Sequence, residues 1–243
     1  MDYKLLQSLI ITNIGHQPTQ LQEMCAQALS LFICAGEDHS AFVLRGYAGT
    51  GKTTIISSLI KALRSVRYNV VLLAPTGRAA KVLSDYAGMP AYTIHKWIYQ
   101  MGSGKDRMEV NAIAPNRFRD TLFVVDEASM ISHELLRDLI AFVFQGEGCR
   151  LLLLGDDAQL PPVEYTESPA LQIGELESHG LTVHAAQLTE VARQAAESGI
   201  LKNATTIRTS IDSPSVRRRF AVGKHPTQID RLLDLITPYD DVH

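Results

Sequence analysis

The chain has 243 residues, of which 46% are hydrophobic and 20% are charged, and its formal net charge at pH 7 is −3. These values are typical of a globular protein with one large or two small domains, and they exclude a chain that is basic throughout, so any nucleic acid would have to bind a local patch. No apolar run reaches the length of a membrane-spanning helix, which argues against a membrane protein of that kind.

Three cysteines, Cys25, Cys34 and Cys149, are an odd number without metal-ligand spacing, so we expect buried, reduced thiols. The first residues, Met1–Lys4, begin with an acidic side chain and lead into an amphipathic pattern, which is unlike a secretory signal. We therefore expect a cytoplasmic protein that does not enter a membrane.

The first predicted elements are two helices and a strand. Apolar spacing predicts helices over 3–14 and 20–34, with Thr19 as the N-terminal cap of the second helix. The short apolar run 41–45 predicts a buried strand, and 54–63 again has apolar side chains at helical spacing.

Between that strand and that helix lies Gly46–Thr53, which reads G-x-x-x-x-G-K-T, the phosphate-binding loop of nucleoside triphosphatases. Glycines let successive backbone N–H groups point into one anion-binding nest, and the helix start adds the positive end of its dipole. Lys52 would reach the β- and γ-phosphates, and Thr53 would hold Mg²⁺. The alternative, a glycine-rich turn that binds nothing, does not explain the strand–loop–helix context. The residues expected to bind ATP here are Gly46, Ala48, Gly49, Thr50, Gly51, Lys52, Thr53 and Thr54.

The middle of the chain continues the alternation of strands and helices. A continuous apolar run over 70–74 predicts a strand covered on both faces, and 79–86 predicts a helix. A short helix over 93–99 would be capped by Thr93. Residues 100–119, with glycines, a proline and arginines, predict a protruding hairpin or long loop.

The second half predicts further strands and helices in the same alternation, followed by a loosely patterned helical region over 195–243. Alternating strands and helices predict an α/β fold with a mainly parallel sheet, which binds ligands at the carboxyl ends of its strands. The predicted strands are 121–125, 149–154 and 182–188, and the predicted helices are 135–144 and 170–177.

Two carboxylates, Asp126 and Glu127, follow the predicted strand 121–125. A strand-end Asp can hold Mg²⁺, and an adjacent Glu can polarise an attacking water. The alternative is an acidic helix start, a position that carboxylates favour anyway. The phosphate loop upstream favours the catalytic interpretation.

Two other segments follow predicted strands, Gly155–Pro162 and Leu188–Gln194. Gln159 has an amide that both donates and accepts, so it could contact the γ-phosphate or its water. A plain turn would explain the glycine, aspartates and prolines of the first segment but not this glutamine. Arg193 is a candidate charge clamp for phosphates, although arginines at helix starts are commonly solvated.

Taken in order, these motifs resemble the superfamily 1 helicases, and within them the RecD-like and Dda-like branch that moves 5′ to 3′ on single-stranded DNA. The resemblance covers about residues 17–210 and implies a RecA-like P-loop NTPase fold, a three-layer α/β/α sandwich with a mainly parallel sheet, and ATP-driven work on DNA. The matching segments are Gly46–Thr53, Ala74–Ala80, Thr93–His95, Val125–Met130, Gly155–Val163 and Leu188–Gln194.

The resemblance also implies roles for residues that spacing alone does not single out. The segment Pro18–Gln22 is similar to the family's adenine-binding element, which would make Gln22 the base contact. Pro75 and Thr76 lie in the motif that grips the DNA backbone, and His95 matches a further backbone-contacting motif.

The implied domains are an N-terminal helical region over 1–36, a motor domain over 37–210 with a reduced insertion at 100–119, and a C-terminal segment over 211–243. In this family a second RecA-like domain supplies a further arginine and closes the nucleotide cleft. No motif of that domain follows Arg193, so we expect a truncation, or a family member without the second half, that hydrolyses ATP weakly alone.

Two other functions remain open at this point. One is a nucleotide-gated binding module with little hydrolysis, and the other is a small-molecule kinase or related phosphate-loop enzyme, which would leave Asp156–Pro162 and Leu188–Gln194 unexplained. Arg217–Arg219 could touch nucleic acid but is more typical of a solvated face. Trp97 could stack on a base, although packing is the commoner use of such a residue.

Overall fold

The computed structural model describes residues 2–47, 49–99, 112–156, 159, 162 and 167–189. The chain divides into two compact units, Met1–Tyr47 with Gly51–Thr189, and Ala48–Thr50 with Glu190–His243. All of the described residues except 49 and 50 belong to the first unit. The predictions for Ala48, 100–111, Arg193, Arg217–Arg219 and the C-terminal segment lie outside the described residues.

The described residues form one six-stranded sheet in which every pairing is parallel. Its order is β3-β2-β4-β5-β1-β6. Every residue of the inner strands β4 and β5 is buried, as expected for strands covered on both faces. The strands are β1 (Ser40–Gly46), β2 (Asn69–Ala74), β3 (Ala91–Thr93), β4 (Thr121–Val125), β5 (Arg150–Gly155) and β6 (Thr182–Leu188).

Seven α-helices and two short 3₁₀ helices accompany this sheet in the described part of the chain. The predicted caps are confirmed, because the Thr19 and Thr93 side chains accept hydrogen bonds from backbone N–H groups three residues on. The α-helices are α1 (Tyr3–Ile14), α2 (Gln20–Cys34), α3 (Lys52–Ser65), α4 (Gly77–Ala87), α5 (Ile94–Ile98), α6 (His133–Val143) and α7 (Ile173–Ser178). The 3₁₀ helices are Ala128–Met130 and Pro169–Leu171.

Successive strand side chains point to opposite faces, which builds two separate cores. Phe42 and Leu44 of β1 pack in one core with α1, α2, α3 and α4, whereas Val43 packs in the other with α5, α6 and α7. The helices therefore cover both faces of the sheet, and the predicted three-layer α/β/α sandwich is confirmed.

The short strand β3 was not predicted, because three residues are too few to show a pattern. It pairs with β2 at the edge of the sheet, with Leu72 opposite Ala91. The region predicted as a single helix over 170–177 is a 3₁₀ turn followed by α7. The predicted burial of all three thiols is wrong for Cys34, which is half-buried, and right for the other two.

Residues 112–119, the described end of the predicted hairpin or long loop, form no helix or strand and are mostly exposed, but Asn116 anchors them to α6. The amide of Asn116 is buried and donates to the carbonyl oxygens of Phe142 and Val143, both at 3.0 Å. These carbonyls belong to the end of α6, where the helix leaves acceptors without internal partners. Nearby, Trp97 packs its ring against Tyr92, with the ring centroids 4.6 Å apart.

Within the described residues, no helix is both long and apolar enough to cross a membrane.

Candidate functional site at the strand ends

Parallel pairing places the carboxyl ends of the inner strands at one edge of the sheet. Leu73 of β2 pairs with Val125 of β4, which pairs with Leu153 of β5. Arg45 of β1 pairs in turn with Gly155 of β5. The phosphate loop, the two carboxylates and the segment after β5 therefore begin at this common edge, where open α/β sheets bind ligands.

The phosphate loop joins β1 to α3 with a backbone that requires glycine. Gly49 and Gly51 have φ values of 82° and 84°, in the left-handed region that side chains disfavour. Lys52 is the first residue of α3, and its Nζ donates to the carbonyl oxygens of Gly46 at 3.1 Å and Gly155 at 3.0 Å. An ammonium group has three donors, so these two bonds hold the charge at the strand ends and leave one donor.

Gln22, the residue that the resemblance assigns to the adenine base, lies against Gly51 of this loop. Its Oε1 accepts from the Thr19 backbone N–H at 3.0 Å, while Thr19 Oγ1 accepts from the Gln22 N–H at 3.3 Å. These reciprocal bonds form a capping box at the start of α2. Gln22 is 1% exposed, and a Cβ on Gly51 would collide with its Nε2. The amide nitrogen therefore faces the loop, and the predicted base contact stays a prediction.

Asp126 is held at the end of β4 by three hydrogen bonds. Its Oδ1 accepts from the Glu127 N–H at 2.9 Å and its Oδ2 from the Tyr86 hydroxyl at 2.8 Å, and its N–H donates to Leu73 at 3.0 Å. Burial and the nearby Asp126 charge raise the pKa of Tyr86 well above its usual range, so the phenol stays a donor. No motif in the sequence pointed to Tyr86.

Glu127 has a left-handed backbone conformation, with φ 54°. This region is uncommon for residues other than glycine and costs free energy, which the surrounding structure must offset. The peptide that precedes it is fixed by the bond to Asp126, and a 3₁₀ helix starts directly after it. The side chain is half-buried, so water can reach the carboxylate that was predicted to activate it.

Gln159 is connected to the carboxylate segment through Ser129. The buried hydroxyl of Ser129 donates to Gln159 Oε1 at 2.7 Å, and the Gln159 backbone N–H donates to the carbonyl oxygen of Asp156 at 3.1 Å. Ser129 lies two residues after Glu127, so the predicted glutamine is bonded to the segment that carries the predicted base. Ser129 lies within the segment Val125–Met130 that resembles the helicase family, but no role was predicted for it.

Other residues predicted to bind ATP or Mg²⁺ lie on the first turn of α3 or outside the described residues. Thr53 is exposed on the first turn of α3 and, within the described residues, has no hydrogen bond to Asp126. Thr54 is half-buried on the same turn. Ala48 and Arg193 lie outside the described residues.

The three residues predicted to contact a nucleic-acid backbone line one cleft of about 730 Å³. Pro75 and Thr76 follow β2, and His95 lies in α5. Thr76 caps α4, an 11-residue helix whose N-terminus attracts anions. Tyr99 also lines the cleft, and its hydroxyl donates to Asp138 Oδ2 at 2.7 Å. Glu134, Asp138 and the basic Arg137 complete the charged part of the lining, and Arg137 Nε donates to Asp138 Oδ1 at 3.3 Å.

Comparison with known proteins agrees with this architecture. The model of a protein family described as "AAA domain" matches residues 25–216. The ATP-dependent RecD2 DNA helicase of Deinococcus radiodurans is 36% identical over 166 residues, which are 68% of this chain and 21% of that relative. The ATP-dependent DNA helicase dda of Enterobacteria phage T4 is 33% identical over 172 residues, which are 68% of this chain and 37% of that relative.

A solved structure supports the fold. The crystal structure of Pif1 helicase from Candida albicans has a TM-score of 0.50 at 22% identity, with 91% of this chain and 56% of that chain covered. The chain spans 21% of the length of the RecD2 helicase and 37% of the length of the dda helicase. Because the family model covers far more than half of the chain, this protein belongs to the AAA-domain family, as a RecA-like domain of the RecD-like and Dda-like branch of the superfamily 1 helicases.

Proposed function

We propose that this chain is the ATP-binding and ATP-hydrolysing motor domain of a DNA-dependent ATPase and helicase of the RecD-like type. The observation that carries the proposal is the arrangement at the strand ends. Lys52 is bonded to the end of β5, the strand beside the one that leads to Asp126 and Glu127. A cation bonded to one strand end and a pair of carboxylates at the end of the neighbouring strand suit phosphoryl transfer to water.

In this proposal ATP binds the loop Gly46–Thr53 through backbone N–H groups and Lys52. The Lys52 ammonium group exchanges carbonyl acceptors for phosphate oxygens, and such charge-assisted bonds are shorter and stronger than bonds between neutral groups. Gln22 would present its amide nitrogen to the adenine base, since its amide oxygen is already engaged by Thr19.

The residues also fit Mg²⁺, which prefers hard oxygen ligands. Asp126 and Thr53 would hold the ion, and the carboxylate of Asp126 is already fixed by hydrogen bonds. When bound, the ion neutralises charge on the β- and γ-phosphate oxygens.

Glu127 would accept a proton from the attacking water, and Gln159 would orient that water or the γ-phosphate. Ser129 supports the role of Gln159, since its hydroxyl donates to the Gln159 amide oxygen and leaves the amide nitrogen to donate to another group. Arg193 stays the candidate clamp for phosphate charge.

Single-stranded DNA would bind the cleft beside Pro75, Thr76 and His95, on the side where α4 begins. The cleft is also lined by the acidic Glu134 and Asp138 and the basic Arg137, and the chain has a net charge of −3. We therefore expect weak binding that falls steeply with salt. A second RecA-like domain is the proposed partner that completes the grip on the strand, and a cytoplasmic location is the proposed setting.

The deciding experiment is steady-state ATP hydrolysis by a protein in which this chain is joined to a second RecA-like domain, with and without a single-stranded DNA oligonucleotide, beside an RNA oligonucleotide of the same sequence. Lys52→Ala serves as the inactive control. Turnover that DNA increases supports the motor. Tight ATP binding with no turnover under any condition supports the alternative, a nucleotide-gated binding module. If neither nucleic acid changes the turnover and the protein binds neither of them, this result contradicts the DNA-dependent function.

A further inference from the structure

The Tyr86 hydroxyl bonds the carboxylate that the proposed function assigns to the metal. Tyr86 lies in the last turn of α4 and donates to Asp126 Oδ2 at 2.8 Å. The other oxygen of that carboxylate accepts the Glu127 N–H at 2.9 Å. Because each oxygen accepts one hydrogen bond, the carboxylate is held in one orientation. About two of the four lone-pair sites of an ionised carboxylate remain for other partners.

The backbone of Tyr86 is also held in place, by the helix that the phosphate loop begins. Ser57 of α3 donates its hydroxyl to the carbonyl oxygen of Tyr86 at 2.9 Å. Two turns further along α3, Arg64 Nη1 donates to the carbonyl oxygen of Gly88, the C-terminal cap of α4. Tyr86 thus joins three parts of the site: the helix of Lys52, the helix that starts at Thr76, and the strand end that bears Asp126.

A phenol is well suited to hold a metal-binding carboxylate. It donates one hydrogen bond and carries no charge, so it orients Asp126 without competing for its negative charge as a lysine or arginine would. Groups that bond a metal ligand from outside the coordination sphere fix its orientation, and their loss commonly weakens metal binding by about 10- to 100-fold.

We propose that Tyr86 is a positioning residue for Mg²⁺, whose hydroxyl holds the Asp126 carboxylate in the orientation that receives the ion of the bound nucleotide. This inference rests on the proposed function, because it needs Asp126 to be the metal ligand. Tyr86→Phe isolates the hydroxyl, since phenylalanine keeps the ring that packs against the first core.

The test measures binding of a fluorescent ADP analogue to the 243-residue chain across a range of Mg²⁺ concentrations and in EDTA. For Tyr86→Phe we expect the Mg²⁺ concentration that gives half of the maximal increase in nucleotide affinity to rise by about 10-fold or more. Affinity in EDTA should stay within about twofold of wild type, because the hydroxyl does not touch the proposed phosphate site. A purely structural role would lower both affinities together.

The matched control is Tyr68→Phe, which removes the same atom at the other end of the sheet. There the Tyr68 hydroxyl accepts from Arg150 Nη1 at 2.9 Å, beside the first residues of β2 and β5. This variant should leave the Mg²⁺ requirement unchanged, even if it lowers the melting temperature.

The outcomes separate the two proposals. A wild-type chain whose nucleotide binding does not respond to Mg²⁺ overturns the proposed function and this inference with it. A responsive wild type beside a Tyr86→Phe variant with the same Mg²⁺ requirement overturns only the role of Tyr86. Equal loss of affinity in Mg²⁺ and EDTA, or failure of Tyr86→Phe to fold by circular dichroism, also overturns it, because the hydroxyl would then support the fold rather than the carboxylate.

Discussion

Lys52 places a positive charge where β1, β5 and α3 meet. Its ammonium group is bonded to two carbonyl oxygens, from residues 6 and 103 positions away in the chain. These bonds fix the charge at the strand ends, so a phosphate that enters the loop meets a group that is already oriented. Pre-oriented donors lose less conformational freedom on binding than free ones.

For Lys52→Ala we expect ATP affinity to fall by at least about 10-fold, because hydrogen bonds to charged groups contribute about 1.5–3 kcal/mol each. Isothermal titration calorimetry measures the change. Lys61→Ala, on the exposed side of the same helix, is the matched control and should bind as wild type does. Unchanged affinity in a folded Lys52→Ala protein would remove the assignment of the phosphate site.

Glu127 is the predicted base, and its left-handed backbone conformation costs free energy that the surrounding structure must offset. Glu127→Gln keeps the shape of the side chain and removes its basicity. We expect ATP affinity to be kept and hydrolysis to fall by about 10²–10⁴, the usual contribution of a general base. The measurement compares single-turnover hydrolysis and binding, in the two-domain protein, with the exposed Glu177→Gln as control. Hydrolysis within a factor of two of wild type would rule out the role.

At the scale of elements, the start of α2 combines two functions. The capping box between Thr19 and Gln22 stabilises the helix, and the same Gln22 side chain faces the phosphate loop at Gly51. Helix capping alone would not require the glutamine to lie against that loop. The pair therefore offers a way to separate the stability of α2 from the recognition of the base.

We expect Thr19→Ala and Gln22→Ala each to lower the free energy of unfolding by about 1 kcal/mol, the usual cost of a lost cap. In a chain of this size such a loss lowers the melting temperature by about 2–4 °C. Only Gln22→Ala should reduce the preference for ATP over GTP, because only this variant loses the amide. Thermal melts and nucleotide competition measure the two effects. An equal loss of preference in both variants would show that Gln22 acts through the helix.

At the scale of the whole molecule, the described site has one wall. The strand ends of a single sheet supply the phosphate loop and the carboxylates, and the chain matches only 21% and 37% of the length of the helicases compared above. In water-exposed sites charge contacts contribute far less than in closed ones. Completing the site would therefore require a second surface that excludes water from the γ-phosphate.

We expect the 243-residue chain to hydrolyse ATP much more slowly than a protein in which it is joined to a second RecA-like domain. An arginine supplied across such a cleft contributes about 10³–10⁵ in rate in related phosphate-loop enzymes. Steady-state ATPase with and without single-stranded DNA measures both proteins under the same conditions. Equal turnover, or strong DNA stimulation of the short chain, would show that the single domain is self-sufficient.

Much of this molecule could be predicted from local patterns. The bounds predicted for α1, α2, β4 and β6 match the structure, because apolar spacing over one element reports which side chains that element must bury. The phosphate loop and the Asp126 pair could also be predicted, since each is a contiguous motif after an apolar strand. The α/β class followed from the same alternation.

Contacts between segments that lie far apart in the chain could not be predicted from local patterns. Tyr86 meets Asp126 across 40 positions, and Ser129 meets Gln159 across 30. Such pairs depend on the strand order β3-β2-β4-β5-β1-β6 and on how two layers of helices pack on the sheet. Local periodicity reports which face of an element is buried, but not which element covers it, so the groups that hold the carboxylate and the glutamine became visible only in the folded chain.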